Sequence, residues 1–350
     1  MEPGLDPSAL EGWFATALPA EAGYAGGPLS ARRLAGGRSN LTYLVTGSAA
    51  TEGGGRASWV LRRPPLGHVL ATAHDMTREY RVLRALAPTG VPVPRVLALC
   101  EDVEVIGAPF YVMEYVEGVV YRSHAMLAEV AASGHAPALA HRLTDILATL
   151  HTVDPAEVGL ADFGRPAGFL DRQLRRWARQ LEASRTRDIP GFAALADALA
   201  ARVPTSPRPA LVHGDYRLDN VLVSPPDRIT AVLDWEMATL GDPLADLGMF
   251  CMYWDGWADL TSAPVAPSPA AHAGFPSRAE LVERYAARSG VPVGPLDWYV
   301  GFAFYKISVI LEGIYYRHAR GLTVGEGFDH IGDLVPTLVE RGRAALASPS

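Results

Sequence analysis

Two carboxylates and one carboxamide, Asp215, Asn220 and Asp234, stand close together in one stretch of the sequence. Asp215 ends an H-G-D motif, four residues separate it from Asn220, and Asp234 opens a D-W-E motif. Two apolar runs, 221–223 and 229–233, flank a turn rich in Pro and Asp and therefore predict a β-hairpin. Because such a hairpin brings Asn220 and Asp234 to one end, beside the loop with Asp215, we expect the three side chains to converge.

Oxygen ligands in this arrangement suit phosphoryl transfer. That reaction needs hard oxygen ligands for magnesium and a carboxylate that orients and deprotonates an attacking hydroxyl group. Protein kinases carry H-R-D-x-x-x-x-N followed by D-F-G, and this sequence has H-G-D-x-x-x-x-N followed by D-W-E. A chance H-G-D is common, whereas the three-part spacing with a hairpin inside it is specific. The alternative is a surface hairpin whose Asp and Asn side chains only cap turns.

These motifs resemble those of the aminoglycoside phosphotransferase family of kinase-like small-molecule phosphotransferases. The resemblance implies Asp215 as the catalytic base, Asn220 and Asp234 as magnesium ligands, and ATP as the phosphate donor, with GTP as an open alternative. It also implies an α+β, bilobal, protein-kinase-like fold whose small β-rich N-lobe (1–116) binds the nucleotide. The larger, mainly α-helical C-lobe (117–350) would carry the catalytic loop, the metal site and the acceptor pocket.

Composition restricts the classes of protein that this sequence can encode. The chain has 350 residues, of which 49% are hydrophobic, enough for the core of one large domain or of two lobes. The net charge of −7 argues against nucleic acid or an anionic membrane surface as a partner, and the acidic excess lies in the second part. The two cysteines have no disulfide or metal-binding pattern, which predicts free thiols and a cytoplasmic location.

No segment predicts export or membrane insertion. The N-terminus has neither a basic start nor an apolar core, so it does not resemble a signal peptide. The most apolar late segment, 298–316, contains Glu312 and the only lysine, Lys306, far along the chain from the motifs above. It is interpreted as a buried amphipathic helix and not as a membrane span. The partner implied by the resemblance is a small hydroxylated molecule, and the oligomeric state is left open.

Nucleotide-binding expectations follow from the resemblance in the N-lobe. A G-G-R-S-N turn brings Ser39 and Asn40 to the phosphates, although an ordinary hairpin turn has the same pattern. The third strand has no lysine, so matching V-L-R to the kinase V-A-I-K places Arg62 on the phosphates and leaves Arg63 as an exposed solubilising residue. Glu79, on the following predicted helix, is expected to pair with Arg62. Pairing of Glu79 with neighbouring arginines on the helix surface is the alternative.

The strand that follows resembles the hinge of kinase-like folds. Strands are predicted at 103–106 and 109–115, and the second leads through F-Y-V-M-E-Y-V-E-G. By the resemblance, backbone groups near Glu114 and Val116 bind adenine, and Met113 lies at the back of the pocket. An interior strand that runs into a linker has the same sequence pattern.

Four further motifs narrow the resemblance: R-R-P-P, A-H-D-M-T-R-E-Y-R-V-L-R-A-L, V-P-V-P-R and P-F-Y-V-M-E. They are similar to the branch of the family whose animal relatives are fused to acyl-CoA dehydrogenases, over roughly residues 34–247. Those fused domains act on 4-hydroxyacyl-CoA. The resemblance therefore implies a hydroxyacyl-CoA or a related hydroxylated metabolite as the phosphate acceptor.

Several residues of the C-lobe have supporting roles by the same resemblance. His213 supports the backbone of the catalytic loop, and Asp246, in the first turn of a predicted helix, accepts backbone hydrogen bonds from that loop. Arg217 either neutralises phosphate charge or pairs with Asp219. Glu236 is a candidate contact for metal or substrate.

The late helices supply the remaining candidates for contacts with the acceptor. A stripe on the predicted helix 298–319 includes Tyr305, Glu312 and Tyr316, which would line the acceptor pocket in this fold. A stripe of this kind is more often part of a core. The Pro-, Ala- and Ser-rich segment 255–276 is either a lid or a loosely held loop.

Three functions agree with the sequence. They are an ATP- and magnesium-dependent kinase for a hydroxyacyl thioester or related metabolite, a kinase for an aminoglycoside or macrolide antibiotic, and a non-catalytic nucleotide-binding regulatory module. The intact set of Asp215, Asn220 and Asp234 argues against the regulatory module. Carboxylates at the acceptor pocket discriminate between the two kinases, because an aminoglycoside needs several of them. A CoA thioester needs cations and an apolar channel.

Overall fold

An antiparallel sheet of five strands, in the order β1-β2-β3-β5-β4, organises the N-terminal part of the protein. The computed structural model describes residues 4–34, 40–49, 55–66, 74–185, 187–260, 266–321 and 330–347. The strands are β1 (Ser30–Arg33), β2 (Leu41–Ala49), β3 (Gly55–Arg63), β4 (Val96–Cys100) and β5 (Phe110–Glu114). Two helices accompany them, α1 (Pro7–Ala17) and α2 (Met76–Leu86).

The chain divides into two units. The first comprises Met1–Gly118 and Thr230–Glu236, and the second comprises Val119–Ile229 and Met237–Ser350. The sequence-based division at residue 116 placed the short segment 230–236 in the second part, whereas the structure groups this segment with the first unit. Backbone pairing explains the difference, because the Val232 amide donates to the Pro92 carbonyl at 2.8 Å. The roles predicted for the two parts stay predictions.

One face of the five-stranded sheet is apolar because its strands alternate with period two. Helix α1 covers this face. It begins after Asp6, whose side chain accepts a hydrogen bond from the Ser8 amide. The opposite face carries Arg62 of β3 and Tyr111 of β5, which are direct partners across the two strands. The core of the apolar face includes Leu10, Phe14, Tyr43, Val45, Trp59, Leu61, Phe110 and Val112.

Helix α2 brings a carboxylate into its buried stripe. The helix begins after Asp75, whose side chain accepts a hydrogen bond from the Arg78 amide. Its buried residues recur at intervals of three and four, as helical periodicity requires for one inward face. They are Met76, Glu79, Val82, Leu83 and Leu86. A charged residue in such a stripe must find hydrogen-bonding partners, because burial of an unpaired carboxylate is costly.

Arg63 corrects one of the sequence-based interpretations. It was predicted to be an exposed solubilising residue, but the structure buries it. Its guanidinium donates to the carbonyl of Gly4 and, at 3.0 Å, to the carbonyl of Ile106. Strand alternation places Arg63 on the apolar face of the sheet. Other segments of the chain cover this face, and the guanidinium of Arg63 binds carbonyl groups of two of them.

The second unit is mainly helical. Strands β6 (Ala210–Val212) and β9 (Thr239–Gly241) pair antiparallel, and β7 (Val221–Ser224) and β8 (Arg228–Val232) form the hairpin predicted from the sequence. Helices α7 and α9 are buried over most of their length. Within the residues that the structure describes, none of the helices has the length and hydropathy needed to cross a membrane. The helices are α3 (His124–Ala132), α4 (Ala136–Thr152), α5 (Phe169–Ser184), α6 (Phe192–Ala200), α7 (Pro243–Asp255), α8 (Arg278–Ser289), α9 (Asp297–Ala319) and α10 (Val335–Ala347).

The strand predicted at 103–106 is absent, and a turn occupies its place. The Asp102 carboxylate accepts a hydrogen bond from the Glu104 amide at 2.9 Å, and the Gly107 amide donates to the Val103 carbonyl at 2.7 Å. An Asp side chain that binds the backbone two residues on favours a turn over an extended strand. The hydrogen bond to the Asp102 side chain therefore favoured a turn, although Val103 and its apolar neighbours favour a strand.

Candidate active site

The H-G-D motif forms a tight loop directly after β6. Gly214 has a φ of +85°, a conformation that side-chain-bearing residues rarely adopt. A Cβ atom at this position would lie 2.8 Å from the Cβ of Met237 and 2.9 Å from its carbonyl oxygen. Both the backbone angle and the close approach therefore require glycine between His213 and Asp215.

Asp246 holds the amides of this loop. Its Oδ2 accepts a hydrogen bond from the His213 amide at 2.6 Å, and its Oδ1 accepts one from the Gly214 amide at 2.7 Å. Burial alone would raise the pKa of Asp246, but His151, His213 and the loop hydrogen bonds outweigh burial and lower it. These contacts are the ones expected from the resemblance. Asp246 lies in the first turn of α7, which Asp242 caps.

Two buried histidines complete this support. The Asp215 amide donates to Nδ1 of His213 at 3.2 Å, a contact that agrees with the supporting role predicted for His213. His151 of α4 lies with Nε2 at 3.3 Å from Asp246 and with Nδ1 at 2.7 Å from the Tyr285 hydroxyl. The loop backbone is therefore fixed by side chains from helices that are distant in sequence.

The Asp215 carboxylate is held in one orientation by two hydrogen-bond donors and one cation. Its Oδ1 accepts a hydrogen bond from the Tyr253 hydroxyl at 3.0 Å. Its Oδ2 accepts one from Nδ2 of Asn220 at 3.1 Å and lies 3.2 Å from Nε of Arg217. The side chain remains 22% exposed, so a ligand can reach it. Tyr253 was not foreseen, since nothing in the sequence pattern links it to the motif.

The charges around Asp215 keep it ionised. Burial would raise its pKa, but the nearby Arg217, Lys306 and His213 outweigh burial and lower it. Arg217 also lies 3.2 Å from Oδ1 of Asp219, so of the two alternatives left open for this arginine the pairing with Asp219 is present. The guanidinium of Arg217 sits 4.8 Å from the centre of the Tyr253 ring. Its contact with phosphate remains a prediction.

Lys306 is a member of this group that sequence reasoning did not connect with it. The side chain extends from α9, is buried, and donates from Nζ to the Gly214 carbonyl. The ring of Trp177 lies 5.5 Å from the ammonium nitrogen. The only feature of the sequence that could have drawn attention to Lys306 is that it is the only lysine in the chain and stands in an apolar segment.

A pocket opens within the second unit next to residues that hold Asp215. Arg217 and Tyr253, which bind the Asp215 carboxylate, both belong to its wall. Among the described residues of the wall, Asp219 is the only one with a carboxylate, and it is paired with Arg217. The remaining lining residues are Tyr121, Leu218, Phe250, Trp254, Ala266, Pro267 and Pro269.

Part of this wall comes from the segment that was interpreted as a lid or a loosely held loop. Of this segment, residues 261–265 lie outside the described part of the chain. The part that is described is held by hydrogen bonds from buried tryptophans, since Nε1 of Trp254 donates to the Pro276 carbonyl and Nε1 of Trp257 to the Ala266 carbonyl. Oγ of Ser268 in turn donates to the Trp254 carbonyl at 2.5 Å. These contacts favour a fixed wall over a loosely held loop.

Tyr305, Glu312 and Tyr316 do not line this pocket. Tyr305 is buried and packs edge-on against Phe192, and burial raises its pKa to about 12. Glu312 is also buried and lies 2.8 Å from Arg187 in an ion pair. Tyr316 packs against the guanidinium of Arg320. Their placement supports the interpretation as packing residues, and their contact with substrate gains no support from it.

A second charged cluster lies in the first unit and contains the expected ion pair. Nε of Arg62 lies 2.8 Å from Oε2 of Glu79, so the pairing predicted for Glu79 is present and the alternative of surface pairing is wrong. Nη2 of Arg62 also donates to Oδ1 of Asp234 at 2.5 Å. Burial alone would lower the pKa of Arg62, but the carboxylates of Glu79 and Asp234 outweigh burial and raise it.

Neutral donors satisfy the rest of the Glu79 carboxylate. Nδ2 of Asn40 donates to Oε1 at 2.6 Å, and the Tyr111 hydroxyl donates to Oε2 at 3.0 Å. Asn40 also donates to Glu236 at 3.3 Å, and its Oδ1 lies 2.7 Å from Nδ1 of His74. Asn40 therefore organises the carboxylates of this cluster, a role that the turn motif did not indicate. Ser39, the other residue expected at the phosphates, lies outside the described residues.

Asp234 has an unusual backbone. Its φ is +65°, and among the residues that the structure describes it is the only non-glycine residue with a positive φ. Such a conformation is uncommon for an aspartate and is typical of residues whose side chain must point in a fixed direction. Here the side chain points to Arg62.

The predicted hinge is the end of β5. Met113 lies opposite Val60, and Glu114 lies opposite Trp59, in the register of β3 and β5. The Glu114 amide donates to the Arg95 carbonyl at 2.9 Å, so this amide is engaged within the sheet. Val116 follows the strand outside any helix or strand and is half-buried. The adenine contacts of these residues stay predictions.

The chemistry of the oxygen donors fits magnesium. Asn220 makes its two side-chain hydrogen bonds through Nδ2, to the carbonyl and the carboxylate of Asp215. The other polar atom of its side chain is a carbonyl oxygen, which is a hard ligand. Asp234 contributes a carboxylate that is 33% exposed. In the described part of the chain, no group of three or more His, Cys, Asp or Glu side chains could hold a metal by itself. Magnesium typically takes one or two protein carboxylates and completes its shell with phosphates and water.

Similarity to known proteins extends over most of the chain. Residues 30–296 match the phosphotransferase enzyme family, APH. Acyl-CoA dehydrogenase family member 11 of Gallus gallus is 36% identical over 346 residues, which cover 97% of this chain and 43% of that protein. The chain thus spans less than half the length of the curated acyl-CoA dehydrogenase family relatives that it matches. These relatives confirm the branch that the four sequence motifs indicated.

Solved structures agree with the family match. The crystal structure of a Ralstonia eutropha protein, provisionally assigned as an aminoglycoside phosphotransferase, is 35% identical, with a TM-score of 0.80 and 98% of each chain covered. A variant of aminoglycoside phosphotransferase APH(4)-Ia in complex with AMP-PNP and hygromycin B has a TM-score of 0.62 at 18% identity, with 98% of each chain covered, and this likeness concerns the fold alone. The predicted α+β, protein-kinase-like fold is confirmed, and the chain belongs to the phosphotransferase enzyme family.

Proposed function

We propose that this protein transfers the γ-phosphate of ATP, with magnesium, to a hydroxyl group of a small molecule. The observation that carries the proposal is the pocket beside Asp215. Arg217 and Tyr253 each contact the Asp215 carboxylate and also line this pocket. A hydroxyl group bound at the side of the pocket formed by Arg217 and Tyr253 would therefore lie next to a carboxylate that is already oriented and able to accept its proton.

Asp215 would act as the catalytic base. Because the surrounding cations lower its pKa, it is ionised at neutral pH but is only a weak base. A weak base suits phosphoryl transfer, since the transition state is loose and the attacking oxygen needs little activation. The main contribution of Asp215 would then be to orient the acceptor hydroxyl, and positioning supplies much of the rate in such reactions.

Other residues would bind the metal and the nucleotide. Asn220 and Asp234 supply oxygen ligands that fit magnesium, which when bound neutralises the charge that develops on the phosphates. Arg62, positioned by Glu79, would bind phosphate oxygens, as its planar guanidinium is suited to do. The residues proposed around the rest of the nucleotide are Ser39, Asn40, Met113, Glu114 and Val116.

The acceptor that we propose is a hydroxyacyl-CoA or a related hydroxylated acyl compound. The pocket wall is mainly aromatic and apolar, with the four rings of Tyr121, Phe250, Tyr253 and Trp254. Asp219, the one carboxylate among the lining residues that the structure describes, is neutralised by Arg217. A polycationic aminoglycoside needs several free carboxylates, whereas an acyl chain needs apolar surface. The similarity to acyl-CoA dehydrogenase family members supports the same class of acceptor.

A turnover assay tests this proposal. The purified protein is incubated with ATP and magnesium and with one acceptor at a time, and ADP formation is measured. The panel contains hydroxyacyl-CoAs, the same acyl-CoAs without the hydroxyl group as matched controls, aminoglycosides and macrolides. We expect turnover with hydroxyacyl-CoAs and none with the matched controls, together with a phosphorylated product by mass spectrometry.

Two outcomes would contradict it. Turnover with antibiotics alone would keep the kinase chemistry and replace the acceptor class. Nucleotide binding without turnover of any acceptor would favour the regulatory module and would remove the base role from Asp215.

A further inference from the structure

Lys306 contacts the peptide group that carries the proposed catalytic base. The Gly214 carbonyl and the Asp215 amide belong to the same peptide unit. Nζ of Lys306 donates to that carbonyl, and Nδ1 of His213 accepts a hydrogen bond from that amide at 3.2 Å. The peptide plane is thus held at both ends. Because this planar unit contains the amide nitrogen of Asp215, its two hydrogen bonds fix the backbone from which the side chain extends, and Tyr253 and Asn220 then orient the carboxylate itself.

The burial of Lys306 makes this contact a strong constraint. Lysine is almost never buried unless it is paired, because its ammonium loses hydration that must be replaced. Two carboxylates, Asp215 and Asp246, face Lys306 and stabilise its charge, whereas Arg176 and Arg217 oppose it. The ring of Trp177 adds a cation–π contact. The net effect of burial is to lower the pKa of Lys306.

The residue type fits this enclosed position. Of the 31 lysine and arginine residues of the chain, Lys306 is the only lysine, and the others are arginines. An ammonium is compact and rotates its three donors freely, whereas the planar guanidinium of arginine is larger and has a fixed fork of donors. A single carbonyl flanked by an aromatic ring and two carboxylates suits the ammonium.

We propose that Lys306 is a positioning residue for the phosphotransfer proposed above, acting by holding the Gly214–Asp215 peptide and through it the Asp215 carboxylate. This inference rests on the proposed function of Asp215. It gives a role in the reaction to a residue on α9, far in sequence from every motif of the family.

Substitution of Lys306 separates positioning from stability. We expect Lys306→Met to lower kcat by about 10- to 100-fold, with the KM for ATP changed by less than about threefold, because the misplaced carboxylate affects the chemical step. Lys306→Arg should not restore kcat. Leu311→Ala is the matched control, since it removes a buried apolar side chain from the same helix, and a leucine side chain cannot donate a hydrogen bond to the Gly214 carbonyl. A folded Lys306→Met with wild-type kcat, or a loss of kcat in Leu311→Ala equal to that in Lys306→Met, would overturn the inference.

The pH dependence gives a second readout. Lys306 carries its charge below its pKa, so its contribution is present at lower pH and is lost as the pH rises through that lowered value. The wild-type kcat should therefore fall on the alkaline side, and this step should be missing in Lys306→Met. An alkaline step of the same size and midpoint in both proteins would contradict the role of Lys306.

A spectroscopic experiment tests the coupling without any turnover. Because the chain has one lysine, protein labelled with nitrogen-15 lysine has a single side-chain ammonium signal to titrate. Asp215 raises the pKa of Lys306, so Asp215→Asn should shift the titration of this signal to lower pH. An unchanged midpoint would overturn the inference. If no acceptor is turned over, the proposed function fails, and this titration still decides whether Lys306 and Asp215 are coupled.

Discussion

The charged cluster of the first unit and the Asp215 loop of the second unit solve the same problem in different ways. Each must keep a charged side chain in a fixed direction inside folded protein. The cluster around Arg62 does so by side chains that neutralise one another, with Glu79 at 2.8 Å and Asp234 at 2.5 Å. The loop instead has its backbone held by side chains, with Asp246 on two amides and Lys306 on one carbonyl.

The difference teaches where substitutions should act. Mutual ion pairing in a buried cluster makes each member necessary for the stability of the others, because a lone buried charge is costly. The Asp215 loop is held through its backbone, and the Asp215 carboxylate stays partly exposed. Substitution of this carboxylate should therefore lower turnover more than it lowers the free energy of unfolding. Substitutions in the two regions should therefore separate stability from turnover.

The largest effect is expected for Glu79→Ala in the first unit. It leaves Arg62 without its closest partner and removes the acceptor of Asn40 and Tyr111. We expect the free energy of unfolding to fall by about 3–5 kcal/mol, as for other broken buried pairs. Urea unfolding followed by tryptophan fluorescence measures this change.

Glu114→Ala is the matched control for Glu79→Ala. Its partner Arg95 is 3.8 Å away, and the two side chains are 41% and 49% exposed, so the change should cost less than about 1 kcal/mol. Equal losses in the two variants would show that burial does not control the energetics of the cluster.

Asp215→Asn should have the next largest effect, and it should act on rate. The variant keeps the size of the side chain and removes the charge that accepts the hydroxyl proton. We expect kcat to fall about a hundredfold or more, with ATP binding largely intact. Turnover and nucleotide titration by calorimetry measure the two quantities. Near wild-type turnover in this variant would exclude Asp215 as the base.

Tyr253→Phe should reduce turnover by a smaller factor. It removes the donor to Oδ1 of Asp215, and a hydrogen bond to a charged group is worth enough for about a tenfold loss of kcat. Tyr299→Phe is the matched control, because the Tyr299 hydroxyl donates to Asp242, at 2.9 Å, and not to the Asp215 carboxylate. Steady-state kinetics of both variants decides the matter, and the same loss in each would show that the effect is not specific to Asp215.

The smallest effects are expected for the two thiols, one in each unit. Cys100 and Cys251 are both buried, and burial raises the pKa of both, that of Cys251 to about 12. The thiolate is the reactive form of cysteine. When the pH is raised from about 7 to about 9, both thiols should therefore still be alkylated more slowly than an exposed thiol.

Alkylation can nevertheless report on each unit separately. Glu79→Ala should accelerate the labelling of Cys100 and leave Cys251 unchanged, because it loosens the first unit only. Mass spectrometry of the labelled peptides follows the two sites over time. Parallel acceleration of both thiols would show that the units do not open independently.

Local pattern was sufficient for some of these features. The face of β3 that carries Arg62 follows from strand alternation, whereas its ion pair with Glu79 was expected from the resemblance to kinases, and the structure contains that pair. The hairpin after Asn220 followed from two apolar runs around a Pro-rich turn. Arg63 was assigned wrongly, because alternation shows which face a residue occupies but not whether another segment covers that face.

The sequence by itself determined the spacing of the motif, the alternation that orients Arg62, and the family, since these depend on residues that are close together in the chain. Only the tertiary structure decided that Tyr253 and Lys306 meet the Asp215 loop. The physical reason is that these contacts join residues from separate helices. Hydrogen bonding and charge are short-range in space, and no local periodicity records which distant side chain the packing of α7 and α9 brings to a given carbonyl or carboxylate.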